Sequence, residues 1–191
     1  MEKIWRFCSF ICHQHLNHSF YLNSTQFPLC VRCTSLYLSC TVMVAILLLY
    51  IKFHKVFIFY VSTKGYFMLF FFMFLIYVDV FTGYFEICSS NNISRVVTGF
   101  LCGSSFILLV YSLVSLYCFN KFRFVCPIIS LSIKELIKLI FIATIFFFIL
   151  LYLFFAYKNF FFVLIFLCLI GYFIFCFCVI CYFLFLILKL G

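Results

Sequence analysis

The chain has 191 residues, of which 69% are hydrophobic and 9% charged, and its mean hydropathy is +1.34. An average soluble domain is about 25% charged, so this chain cannot cover its own surface in water, and lipid is its outer solvent. Its net charge of +9 comes from 13 Lys/Arg against 4 Asp/Glu, scattered singly and in pairs; that suits helix ends meeting anionic headgroups and does not support nucleic-acid binding.

Residues 1–34 form a mixed segment. Ile4, Trp5, Phe7, Phe10 and Ile11 are apolar, but Gln14, His15, Asn17 and His18 interrupt them. The pattern predicts an interfacial helix followed by a loop, with Asn23, Ser24 and Pro28 marking a turn region. Lys3 and Arg6 resemble the start of a signal peptide, but no long apolar run or small-residue cleavage site follows. The first true span is therefore expected to target the chain.

Residues 35–191 read as an all-α transmembrane bundle. A span needs about 20 apolar residues, which predicts about five spans, at 35–51, 66–87, 94–118, 135–157 and 160–188. The stretch Val56 to Val61 is too short to cross. Lys158 and Asn159 are so short a connection that the last two spans must form an antiparallel hairpin. No inverted repeat of the transporter kind is visible. Lys3, Arg6, Arg32, Arg95 and Lys158 fall on the N-terminal side. Lys52, Lys55, Lys64, Lys121, Arg123, Lys134, Lys138 and Lys189 fall on the other. That asymmetry favours a multi-pass protein of the cell membrane with its N-terminus outside.

Thirteen cysteines are present. Cys168, Cys176, Cys178 and Cys181 lie in apolar runs and read as small packing residues. Cys12-His13-Gln14-His15 and Cys30-Val31-Arg32-Cys33 are different. Two cysteines separated by two residues can aim both sulfurs at one tetrahedral centre. Cys12 with His13 or His15 would complete four ligands for zinc or another transition metal. A disulfide or redox pair at Cys30 and Cys33, or reduced cysteines with no chemistry, are also open readings. Arg32 between the thiols is expected to lower their pKa. Cys8 shares a helical face with Cys12 and His15 and stands in reserve.

A second polar group straddles the hairpin between spans two and three. Asp79, Thr82, Gly83 and Glu86 share one helical face, and Arg95, Thr98, Gly99 and Cys102 share another. A hinge centred between Ser90 and Asn91 would place Glu86 level with Arg95 and Asp79 level with Cys102. Ionisable groups inside a membrane usually face the bundle interior. The plain reading is a Glu86–Arg95 ion pair, with Asp79 hydrogen-bonded to hydroxyls. The functional reading is a polar pocket of Asp79, Glu86, Asn91, Asn92, Arg95 and Thr98 for a lipid headgroup or small anion. Gly99 and Gly103 would let helices approach closely. Glu135 is expected to pair with Lys138 at a solvated helix start, and His54 to be exposed.

These residues also carry a resemblance. Cys12-His13-Gln14, Ser19-Phe20, Gln26-Phe27-Pro28, Cys30-Val31-Arg32-Cys33-Thr34 and Tyr37 form one block. Asp79, Thr82, Ser90-Asn91-Asn92, Arg95, Thr98-Gly99 and Gly103 form a second. Together they resemble DUF2085, a family of bacterial and archaeal membrane proteins without an established activity. Ser35 and Ser39 stand where that family has glycines, Gly83 where a Gln is usual and Cys88 where an Arg is usual. The resemblance implies a multi-pass membrane protein and no particular reaction.

Three functions remain in view. The first is a metal- or thiol-based site at the membrane face. The second is an enzyme or carrier for a lipid or small anion at Asp79, Asn92 and Arg95. The third is a structural subunit. Membrane lipids are the expected surroundings, and the sequence names no protein partner. The site-bearing segment is expected to pack beside the hinge cluster, since both lie on one side of the bilayer.

Overall fold

The computed structural model describes residues 2–14, 18–22, 25–54, 58–85, 91–122, 128–157 and 160–190. Among the described residues, five helices are long and apolar enough to cross a membrane: α2 (Val31–His54), α3 (Thr63–Tyr84), α4 (Asn92–Phe122), α5 (Ile133–Ala156) and α6 (Phe160–Leu190). The protein is an all-α bundle of membrane helices. A short helix, α1 (Glu2–Ile11), precedes them. The described residues also include four short strands: β1 (Ser19–Leu22), β2 (Thr25–Cys30), β3 (Ile58–Val61) and β4 (Ile128–Leu131).

Helices α2 and α4 form the centre. α2 packs against α4, α5 and α6, while α3 leans mainly on α4. In α4, 61% of the spanning window is buried, against 17% in α3. Small residues explain the tight α2–α4 seam. A Cβ added at Gly99 would lie 2.7 Å from the Arg32 carbonyl oxygen and 3.0 Å from the Ser35 Cβ. One added at Gly103 would collide with Ser39 Oγ and the Leu36 carbonyl. Ser35 and Ser39, where the resemblance expects glycines, are still small enough for this contact. Membrane helices gain little from apolar contact with one another, so close backbone approach is what holds them. On the other side of α2, Thr41 Oγ1 donates to the Leu167 carbonyl of α6 at 2.8 Å.

The expected N-terminal helix is α1, but the segment after it is not the expected loop. β1 and β2 form an antiparallel hairpin with Ser19 opposite Cys30 and Leu22 opposite Thr25. Pro28 is a strand residue rather than part of a turn; a two-stranded ribbon consists only of edges, where a missing N–H is tolerated. Asn23 and Ser24 lie outside the described residues. Aromatic contacts seat the hairpin on the α5–α6 corner. Phe27 meets Phe154 and Phe161, each at 5.5 Å between ring centroids, and Phe20 meets Phe155 at 5.6 Å. The last two spans are therefore the seat of the N-terminal segment.

The stretch too short to cross is β3, which pairs in parallel with β4 from Ile58↔Ile128 to Val61↔Leu131. A local device occurs twice here. Each strand runs into a serine that caps the next helix: Ser62 Oγ accepts from Gly65 N–H, and Ser132 Oγ accepts from Glu135 N–H. At α5 the cap is a reciprocal box, because the Glu135 carboxylate accepts the Ser132 N–H at 2.8 Å. Glu135 is thus engaged at the cap rather than with Lys138, since the unsatisfied N–H groups of a helix start hold a carboxylate there. His54 is exposed and its ring lies 4.4 Å from that of Tyr50.

Candidate functional site

Three segments converge at one end of the bundle. Cys12 follows the last turn of α1, its N–H donating to the Cys8 carbonyl at 2.9 Å. Cys30 closes β2, and Cys33 lies in the first turn of α2. Their three Sγ atoms lie within 4.8 Å of one another. Cys12 is buried, and Cys30 and Cys33 are partly so.

Gln14 holds this convergence. Its φ of 48° puts it in the left-handed region, uncommon for a residue with a Cβ. Its side-chain amide then ties two segments together, donating to the carbonyls of Trp5 and Pro28, both at 3.0 Å. Gln26 Nε2 donates in turn to the Gln14 carbonyl at 3.2 Å and to Ser19 Oγ at 3.0 Å. One amide thereby links α1, the segment after Cys12 and β2.

Backbone N–H groups point at the sulfurs. Cys30 N–H donates to Cys12 Sγ at 3.2 Å, and Cys33 N–H to Cys30 Sγ at 3.5 Å. Hydrogen bonds from the Cys30 and Cys33 thiols hold the Cys12 thiol well below the ordinary cysteine range, against the opposing effect of burial. Donating that bond to Cys12 moves Cys30 upward. The sulfurs themselves, and not Arg32 as the sequence suggested, set these shifts. Cys8 is fully buried, outside the three-sulfur group, and pushed up to about 11 by burial first and Cys12 second. His13 is exposed and is not in that group either. His15 lies outside the described residues.

Arg32 reaches across to α3. Its Nε donates to Asp79 Oδ2 at 2.8 Å, and its Nη2 makes an ion pair with the same oxygen. Asp79 is 8% exposed. It also accepts from Ser94 Oγ at 3.2 Å and Thr98 Oγ1 at 3.4 Å, both on α4. The hydroxyl partners expected for Asp79 are present, but its level on α4 is shifted from Cys102 to Ser94 and Thr98. The reason is where the two helices stop: α3 ends at Tyr84 and α4 starts at Asn92, and equal steps back from those ends set Asp79 level with Val97 rather than Cys102. Glu86 lies outside the described residues.

Asn91 caps α4, its Oδ1 accepting from Ser94 N–H at 2.9 Å. Arg95 is buried, with Nη1 3.5 Å from Asn92 Oδ1 and Nη2 3.5 Å from His18 Nε2. The structure thus brings together Asp79, Asn92, Arg95 and Thr98 around Arg32 and His18. The two polar constellations are one continuous cluster joined by the Arg32–Asp79 pair. Sequence reasoning missed that link. The signal was available: one acid inside a span and one arginine at the start of another, on the same side of the bilayer.

The block structure of the sequence now has a physical reading. The Cys12-His13-Gln14, Gln26-Phe27-Pro28 and Cys30-Val31-Arg32-Cys33 runs build the sulfur group and its frame, and the Asp79 and Asn92–Gly103 runs grip it. The family model described as predicted membrane protein (DUF2085) matches residues 12–109. The chain belongs to this family. The matched stretch takes in the hairpin, α2, α3 and most of α4, and every residue of the polar cluster. No curated protein and no solved structure was found to match the chain.

Proposed function

We propose that this protein holds a thiophilic transition-metal ion, zinc or a softer ion, on Cys12, Cys30 and Cys33 at one face of the membrane. The observation that carries the reading is three sulfurs from three separate segments lying within 4.8 Å. With metal–sulfur bonds of about 2.3 Å, tetrahedral geometry sets sulfurs about 3.8 Å apart, so modest closure meets the requirement. The donor set fits a metal that prefers thiolate, and the N–H···S bonds offset thiolate charge. His13, next to Cys12, is the nearest candidate in sequence for a fourth ligand. Residues 1–34 are the site-bearing unit in this reading, and residues 35–191 carry it in the cell membrane. The Lys/Arg distribution supports an N-terminus outside.

Metal analysis of detergent-purified, reduced protein tests this. The parent chain should carry about one ion, and Cys30→Ser and Cys33→Ser should carry none. A metal-free parent chain after incubation with zinc and with a copper(I) salt sinks the metal version. A Cys30–Cys33 disulfide in the non-reduced protein would assign the site to thiol redox chemistry instead.

A second reading has its own observation. An apolar groove of about 370 Å³, lined by Phe20, Asn92, Val96, Phe148, Leu151 and Phe155 among others, runs between α4 and α5. Its polar end is Asn92, beside Arg95. A lipid chain in the groove with an anionic headgroup at Arg95 would suit this shape and charge. Co-purified lipid that is lost in Arg95→Gln would favour it.

A further inference from the structure

We propose that Asp79 is a positioning residue for the three-sulfur centre, acting through Arg32, so that α3 is part of the metal site. The inference rests on the metal reading above. Arg32 is one of the two residues inside the Cys30–Cys33 loop, so wherever its side chain is anchored, the loop is anchored too. The anchor is Asp79, which takes Arg32 Nε at 2.8 Å and pairs with Nη2. Ser94 and Thr98 hold the same carboxylate from α4. The chain of contact runs from sulfur loop to Arg32, to Asp79, to two helices.

Two physical arguments give this pair its role. A charged pair in a membrane bundle is costly to desolvate and is weak evidence of stability alone. Ordinary packing does not require it here, since α3 is the span least buried in the bundle. Charge supplies the second argument. Thiolate charge at the sulfur centre attracts a guanidinium that stands between Cys30 and Cys33 in sequence. Asp79 engages that guanidinium and leaves the sulfurs to a metal ion. Without the carboxylate, Arg32 turns toward the sulfurs and competes with the ion. The partners that orient a metal's ligands typically account for 10–100-fold in affinity. Coupling is reciprocal, so an ion on the sulfurs also tightens α3 against α2 and α4.

The test compares zinc affinity of the full-length protein in detergent, by chelator competition, with the cobalt(II)–thiolate absorption band as a second readout. Asp79→Asn should weaken zinc about 10–100-fold. Asp79→Glu should restore most of it. The zinc-induced rise in thermal stability should shrink in Asp79→Asn. Phe147→Ala, a destabilising change in α5, should leave zinc affinity unaltered. If Asp79→Asn does not fold, the Ser94→Ala/Thr98→Ala pair replaces it, with a smaller weakening expected. Parent-like affinity in whichever of these variants folds overturns the inference while leaving the metal reading standing. A parent chain that binds no zinc overturns both.

Discussion

The amide of Gln14 offers the sharpest check on how the site is built. It donates to two carbonyls, of Trp5 and Pro28, each at 3.0 Å. Gln14→Ala removes both bonds and leaves two part-buried acceptors. A protein hydrogen bond is worth about 1 kcal/mol net, so the segment from Cys12 to Gln14 should loosen by about 2 kcal/mol, or about 30-fold in its opening equilibrium. Alanine keeps the strain of the left-handed φ of 48°. Glycine does not, and the relief is about 1 kcal/mol. Gln14→Gly should therefore open only about 5-fold more than the parent. The assay is the rate of Cys12 alkylation in reduced, metal-free protein, with Cys12 at 5% exposure in the parent. Under conditions where closing outpaces labelling, the rate should rise in the order parent, Gly, Ala. Equal rates in all three, or a glycine variant faster than alanine, would refute the reasoning.

Two further outcomes follow from the geometry. Gly103→Val drives a branched side chain into Ser39 and the Leu36 carbonyl; overpacking of this kind costs about 1–3 kcal/mol, visible as a lower unfolding temperature in detergent, while Gly171→Ala tests the corresponding approach of α6 to the Tyr37 carbonyl. In the metal-free protein the sulfur group should release its first proton well below the ordinary cysteine pKa, because Cys12 is depressed by its hydrogen bonds, and the next above it, because Cys30 is raised. The sign for stability follows: the Cys12 contribution is complete above the unfolded thiol pKa and is lost as pH falls through the depressed value. Thiolate absorbance against pH, parent minus Cys12→Ser, should rise well below the ordinary thiol value, and a rise only near the ordinary value contradicts the assignment.

Much of this protein was legible without coordinates. Long apolar runs can only be satisfied as helices in lipid, so five spans follow from hydropathy, with ends within a few residues of those found. Cys12, Cys30 and Cys33 stood out because polar surroundings and two-residue spacing are rare in such a chain. The hairpin did not, since Phe20, Tyr21 and Leu22 carry no alternation, and Pro28 argues against a strand. β3 and β4 were hidden for a similar reason: each is four residues long, and each needs the other, about 70 residues away, to exist.

The sequence alone determined which solvent surrounds the chain and which residue types could carry chemistry, because composition and periodicity are local properties. Tertiary structure decided who meets whom. It put Asp79 on Arg32, the contact of residues 47 positions apart. It turned Glu135 into a cap, and it grouped three cysteines while leaving His13 exposed. Those outcomes depend on where helices stop and how closely α2 and α4 approach. A difference of a few residues in where two helices stop moves a buried carboxylate by one to two turns against its neighbour, and no local pattern records that.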